Sequence, residues 1–341
     1  MPFMREYSAE AALCEKLGGG KVRCLACAHR CVTAPGGAGR CKVRFNDGGR
    51  LMAPRGYVSG LAPDPIEKKP FFHVLPGART MSFGMFGCNF SCEFCQNWSI
   101  SDAAAAETAG ALRVTAESLA AGAAASGAKV LVSTYNEPLI TAEWAGEVFD
   151  GAKKKGLRTA FVSNGYATPE AAAFLKPRLD FWKADLKSFD DGKYRKVCGA
   201  ELSKVLDGIR TIKDSGFWLE IVTLLIPGFN DSDAEIGAMA GFVAGLSPDI
   251  PWHLTAFHPD HLMTDVPPTP AGTLLRARDI AAAKGLRYVY CGNIPGVNGQ
   301  DTVCPSCGLT LVEREGFSVR KDLLGGKGTC GCGFKVPGVW A

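Results

Sequence analysis

The chain lacks a leader-like start and any apolar stretch of membrane-spanning length. Arg5, Glu6, Glu10 and Glu15 interrupt every early apolar run, where a signal peptide needs an uninterrupted apolar region of about 7–15 residues. The nearest approach to a span, Leu119 to Val132, carries Lys129 and scattered glycines and falls short of the roughly 18 residues required. Basic blocks are missing too. The net charge is +4, and the one run, Lys153-Lys154-Lys155, reads as a solvated helix end, so nucleic acid has no electrostatic footprint here. These absences predict a cytoplasmic protein with neither a membrane nor a nucleic-acid partner.

What is present is an ordinary globular composition with one anomaly. Hydrophobic residues make up 47% and charged residues 21% of 341, which excludes a disordered chain, a collagen and a coiled coil. The length suits one large domain with appendages, or two domains. Cysteine is the anomaly: 14 residues are well below the roughly 8–10% of a small disulfide scaffold. In a reducing compartment, clustered thiols bind metal more often than one another.

Eleven of these thiols fall into three groups, and Cys14, Cys198 and Cys291 stand alone. The central group is Cys88, Cys92 and Cys95, spaced C-x3-C-x-aromatic-C with Phe94 as the aromatic. Three thiolates on one loop can each ligate an iron of a [4Fe–4S] cluster and leave the fourth iron open to a small molecule. The plain alternative is a zinc site whose fourth ligand lies elsewhere. At these residues the chain resembles the radical S-adenosylmethionine (SAM) superfamily. The resemblance implies that the open iron is chelated by the methionine moiety of SAM. One electron then yields methionine and a 5′-deoxyadenosyl radical that abstracts a substrate hydrogen.

Apolar runs recur at Met81–Phe86, Val130–Tyr135, Thr159–Val162, Phe181–Leu186, Leu219–Ile226, His253–Phe257 and Tyr288–Cys291. Helix-like stretches lie between them at Ala116–Ala125, Glu143–Lys155, Pro169–Lys176, Leu202–Lys213, Ala234–Gly245 and Thr273–Lys284. Such alternation predicts an α/β fold with a parallel sheet. The resemblance implies that it forms a partial (β/α)6 TIM-like barrel, whose ligands bind beyond the carboxyl ends of the strands.

The residues just after each run are therefore candidate cofactor contacts. After the second come Tyr135, Asn136 and Glu137, where the superfamily has a Gly-Gly-Glu-like motif for the methionine amino group; the plain reading is a helix start at Asn-Glu-Pro. Ser163 and Asn164 in Ser163-Asn164-Gly165 are similar to the Thr-Asn-Gly turn of the activating enzymes of glycyl-radical enzymes, although Asn-Gly is also an ordinary turn signal. Asp185 and Lys187 match the Asp-Leu-Lys of the same group, with Lys187 as a cation for the cofactor carboxylate and a mutual ion pair as the alternative. His258 follows the sixth run, where related enzymes place a histidine near the adenosine. Cys198 reads as a small buried apolar residue, with a hydrogen-atom donor or extra ligand as its functional alternative.

The outer thiols form two quartets. Cys24, Cys27, Cys31 and Cys41 lie within a short glycine-rich stretch that has no core of its own and so predicts folding around a metal, either Zn2+ or an auxiliary iron–sulfur cluster. Cys304-x2-Cys307 and Cys330-x-Cys332 flank a predicted hairpin at Leu309–Val312 and Gly316–Val319, which suggests a zinc ribbon.

With these flanks, the segment from Asp64-Pro65-Ile66-Glu67-Lys68-Lys69-Pro70 to Gly77 and the Gly292-Asn293-Ile294-Pro295-Gly296 run make the chain resemble the radical enzymes of the AmmeMemoRadiSam system. That family is itself similar to pyruvate formate-lyase activating enzymes. The resemblance implies Memo-type and AMMECR-type protein partners and an electron donor such as a flavodoxin or ferredoxin, and leaves the substrate, small molecule or protein, unnamed. The expected division is an N-terminal metal-binding segment over 1–75, the barrel over 76–295 and the ribbon over 296–341. Two other functions remain: an activating enzyme acting on a protein glycine, and a non-catalytic scaffold or redox relay built on metal centres.

Overall fold

The computed structural model describes residues 2–104, 110–294, 296 and 299–341. Pro295 of the Gly292–Gly296 run lies outside the described residues. One sheet organises the rest. Its strands are β1 (Gly60–Pro65), β2 (Arg79–Gly84), β3 (Val130–Ser133), β4 (Arg158–Ser163), β5 (Phe181–Asp185), β6 (Trp218–Leu225), β7 (Trp252–Ala256) and β8 (Val289–Gly292). They lie side by side in chain order, β2 to β8 mutually parallel and β1 antiparallel to β2. Among the described residues, six helices of seven or more residues run between successive parallel strands: α1 (Ala116–Ala125), α2 (Ala142–Lys154), α3 (Pro169–Leu175), α4 (Leu202–Asp214), α5 (Asp233–Leu246) and α6 (Ala271–Ala283).

The alternation predicted this parallel α/β sheet. Its hydrogen bonding runs from β1 at one edge to β8 at the other without closing on itself. Helix starts follow local chemistry: Thr115, Thr168 and Ser232 accept hydrogen bonds from the first-turn amides of α1, α3 and α5, satisfying donors that otherwise lack partners. One predicted strand stops early. The run through Tyr135 ends at Ser133, because Tyr135 takes a φ of +73° that no strand residue adopts.

The faces of the sheet differ in what covers them. Leu131, Phe161, Trp182 and Ile221 belong to the large buried cluster shared with the helices, whereas Val130, Val132, Ala160 and Phe181 pack against Ile66, Phe71 and Val74. The segment linking β1 to β2 therefore plugs one face. Its anchor is Glu220 on β6, a fully buried carboxylate that accepts from the Phe72 and His73 amides (2.9 and 3.0 Å), Trp218 Nε1 (3.0 Å) and His253 Nε2 (2.6 Å). Burial pushes Glu220 up, but His253 first, then His73 and the Phe72 amide, hold it below the usual carboxylate range, while burial lowers His253.

Both ends of the chain join this body. Met4, Leu13, Val22, Val43 and Leu51 are buried in the same cluster as the helices, so the first 75 residues have no separate core. At the other end, strands Thr302–Val303, Thr310–Glu315 and Ser318–Asp322 form an antiparallel sheet whose Leu311 and Val312 pack with Phe72, Tyr288 and Tyr290. Val339 exchanges backbone hydrogen bonds with the plug, to Leu75 N (2.7 Å) and from its own amide to His73 O (2.8 Å). No helix among the described residues is long and apolar enough to cross a membrane.

Candidate metal and cofactor site

The loop that carries Cys88, Cys92 and Cys95 begins just beyond the carboxyl end of β2. Gly87 turns the chain there with a φ of +90°, and a Cβ on it would meet Val43 Cγ1 at 2.7 Å, so only glycine lets the loop pass the N-terminal segment. Backbone bonds fix the loop on two sides: Ser91 and Glu93 amides donate to Cys198 O and Val197 O (3.0 and 3.1 Å), and the Leu262 amide donates to Glu93 O (2.9 Å). The three thiols are half-buried. Phe90 N donates to Cys88 Sγ at 3.4 Å, Cys95 Sγ lies 3.4 Å from Ser101 Oγ, and the Cys92 thiol is hydrogen-bonded to that of Cys198. Phe94 is buried, its ring 5.8 Å from that of Phe229.

The strand ends bring most of the remaining candidates to this region. Glu137 is buried, and its carboxylate accepts from Leu139 N (3.0 Å), Ser163 Oγ (2.8 Å) and Asn164 N (2.7 Å). It thus holds the turn after β4, and burial leaves its pKa raised to about 7 despite these donors. Asn164 passes the connection on, Nδ2 donating to Asn89 Oδ1 at 2.7 Å, beside Cys88. Gly208 on α4 permits this turn, since a Cβ there would collide with Gly165 O. Asn136 accepts from Met85 N (3.1 Å) and keeps its own Nδ2 buried without a partner.

At the end of β5, Asp185 accepts from Lys183 Nζ (2.5 Å) and Lys187 Nζ (2.8 Å). Burial pushes its carboxyl up, and the two lysines more than reverse this, leaving it at about 2. The Lys187 ammonium lies 5.8 Å from the Phe94 ring centroid, and it helps draw the Cys92 thiol below its usual range after the Cys198 hydrogen bond. The ion pair offered as the alternative is therefore present, and Lys187 faces the thiols as well. Two candidates stand further out. Tyr135 turns to the plug, its hydroxyl 3.2 Å from Asp64 Oδ2 and its ring 4.6 Å from Lys69 Nζ. His258 is exposed and accepts from Gln96 Nε2 at 3.0 Å.

Sequence reasoning passed over Lys183, Asn89 and Gln96. Lys183 stands two residues before Asp185 on the same strand face, so the two-residue period would have found it. Asn89 and Gln96 had no signal beyond adjacency to the cysteines.

The donor set fits a [4Fe–4S] cluster with one iron free of protein ligands: three thiols on one loop, a lysine cation beside them, and an unsatisfied buried amide at Asn136 among the strand ends. Burial first, then the Glu137 carboxylate, pushes the Cys88 thiol far up, so loading a metal there must release a proton.

The C-terminal quartet has another geometry. Cys304, Cys307, Cys330 and Cys332 are the one group of three or more His, Cys, Asp or Glu, among the described residues, whose ligand atoms all lie within 4.8 Å of one another. Cys304 and Cys332 thiols are 3.7 Å apart, and those of Cys307 and Cys330 3.6 Å. A single tetrahedral ion with bonds of about 2.3 Å would set its sulfurs about 3.8 Å apart. The Phe334 amide, then the neighbouring thiols, draw Cys332 down to about 6, which favours the thiolate a metal needs. Cys24, Cys27, Cys31 and Cys41 line one small cavity, together with His29, Arg44 and Asn89.

Fold and thiol loop define an iron–sulfur enzyme of the radical type, and the comparisons agree. Residues 83–239 match the model of the radical SAM superfamily, to which the chain belongs. It is 39% identical to an uncharacterized protein of Methanocaldococcus jannaschii over 91% of this chain and 93% of that one. It is also 24% identical to the pyruvate formate-lyase-activating enzyme of Staphylococcus aureus over 54% of this chain and 76% of that one. Against the isethionate sulfite-lyase activating enzyme of Nitratidesulfovibrio vulgaris it is 28% identical over 31% of this chain and 35% of the relative.

Proposed function

We propose that this chain cleaves SAM reductively and uses the resulting radical to abstract hydrogen from a substrate, as the radical enzyme of an AmmeMemoRadiSam system with Memo-type and AMMECR-type partners. The observation that carries the reading is the placement of Cys88, Cys92 and Cys95 on one loop beyond β2, with the Lys187 ammonium near enough to help lower the Cys92 thiol. A [4Fe–4S] cluster there would supply the single electron that SAM cleavage requires, received from a flavodoxin or ferredoxin.

The chain's own residues supply position and charge. Lys187, held by Asp185, offers a cation to the methionine carboxylate. Glu137 locks the Ser163–Asn164 turn and retains lone-pair capacity for the methionine ammonium. The loop amides and the Phe94–Phe229 contact fix the loop that carries the thiols. Under this reading the sheet lines a partial (β/α)6 barrel, and the C-terminal quartet is a zinc ribbon. The division into an N-terminal segment (1–75), a barrel (76–295) and a ribbon (296–341) belongs to the same proposal, as do Tyr135 and His258 as outer contacts and a cytoplasmic location.

Anaerobic reconstitution with iron and sulfide, reduction by dithionite and chromatography for 5′-deoxyadenosine test the proposal. Product from the wild-type chain and none from Cys92→Ala is the expected result; a loaded cluster without product would leave a scaffold or relay. The two activating-enzyme relatives favour a second reading, transfer of the radical to a protein glycine. That reading requires a glycyl-radical doublet on an added partner protein.

A further inference from the structure

The cavity lined by Cys24, Cys27, Cys31 and Cys41 contrasts with the C-terminal quartet in two respects. No three of its thiols come within 4.8 Å of one another, whereas all four at the C-terminus do. A mononuclear site needs separations of about 3.8 Å, so a single ion suits the C-terminal quartet and is too small for this one. A polynuclear cluster spreads its four thiolates over several metal atoms.

The second contrast lies in the wall. Thr33 Oγ1, Arg44 Nε and Asn89 Nδ2 are buried with no hydrogen-bond partner, and all three residues line this cavity. Each bears an N–H or O–H that a hydrogen-bond acceptor inside the cavity would satisfy. Thiolates and inorganic sulfides are such acceptors, and hydrogen bonds to sulfur are a usual feature of cluster sites. One amide–sulfur contact is already present: the Arg40 amide lies 3.4 Å from Cys31 Sγ. Glu143 takes up the charge of Arg44, so the wall presents donors without an excess positive charge at depth.

We propose that Cys24, Cys27, Cys31 and Cys41 hold a second iron–sulfur cluster, one side chain away from the Cys88–Cys92–Cys95 site. Asn89 is that side chain. It follows Cys88 in the chain, accepts from Asn164 through Oδ1, and meets His29 Nε2 through its carbonyl oxygen at 2.9 Å. Both metal sites are built against this one residue.

The test uses the full chain, reconstituted anaerobically with ferrous iron and sulfide, and counts iron, acid-labile sulfide and zinc. The triple variant C88A/C92A/C95A should keep about half of the wild-type iron and sulfide, with a reduced-state paramagnetic signal indifferent to added SAM. C24A/C27A/C41A should lose a similar share and keep a SAM-responsive signal. Reduced wild-type protein should show signal broadening, absent from both variants, from two neighbouring spins. Two zinc ions per wild-type chain, with iron for one cluster only, would overturn the assignment and needs no variant to fold. Failure to form 5′-deoxyadenosine would remove the proposed reaction and leave the metal count unaffected.

Discussion

Arg44 and Glu143, 99 residues apart, meet in a two-point ion pair, Nη1 to Oε2 at 2.7 Å and Nη2 to Oε1 at 2.8 Å, with the guanidinium almost wholly buried. The pair ties the N-terminal segment to the first turn of α2, where Glu143 also accepts from Leu13 N at 3.1 Å. Glu143→Gln strands a buried cation and should destabilise the protein by about 3–5 kcal/mol, read as a drop in the urea midpoint. The double replacement Arg44→Met with Glu143→Leu should recover most of that loss; equal effects of single and double changes would show that the pair is not the cause.

Lys187→Met removes one of the two cations that hold Asp185 at about 2. SAM should then bind the reconstituted protein at least about tenfold more weakly, or 1.4 kcal/mol, by calorimetry. Unchanged affinity would take Lys187 out of the cofactor contact.

His73 is fully buried, and burial lowers its pKa to about 4 although Glu220 opposes this. Its neutral ring links Pro337 O to the Tyr290 hydroxyl, each at 2.6 Å. Since the folded value lies below the unfolded one of about 6.5, the unfolded chain binds the extra proton first as pH falls. The contribution is complete above about pH 6.5 and is lost towards pH 4, on the order of 3 kcal/mol in all. Denaturation midpoints across that window should fall less steeply for His73→Gln than for the wild type.

If the C-terminal quartet holds zinc as proposed, a thiol-directed mercurial should release one zinc ion per chain and open residues 302–341 to protease while the main sheet stays resistant. Cys307 and Cys332 are the exposed members of the quartet, so the reagent reaches them first. Protection of that segment after zinc release would mean that Leu311 and Val312 hold it without an ion.

Much of this organisation was legible because it is local. Helix and strand periods, Asn-Gly at a strand end and the spacing of Cys88, Cys92 and Cys95 each depend on a few neighbouring residues. Non-local relations were not legible. Nothing near Ile66, Phe71 or Val74 tells a reader that they plug one face of the sheet, and Glu220 reads as a polar residue inside a strand until the Phe72 and His73 amides arrive from far along the chain. Glu137 was legible as a site residue, but its grip on Asn164 needs β3 and β4 side by side. Cys198 reads as a small buried thiol, and it is fully buried in the main core; that it lies beside Cys92 was not legible, because the two are far apart in sequence.

The strand order also carries a timetable. Every wall of the Cys24–Cys41 cavity named above, with the Glu143 partner of Arg44, comes from the first 143 residues, whereas His73 waits for Tyr290, 217 positions later. At a synthesis rate of about 5–20 residues per second, the ribosome takes roughly seven to thirty seconds to go from residue 143 to residue 290. A nascent chain therefore carries Cys24, Cys27, Cys31 and Cys41 well before the His73–Tyr290 contact can lock the plug.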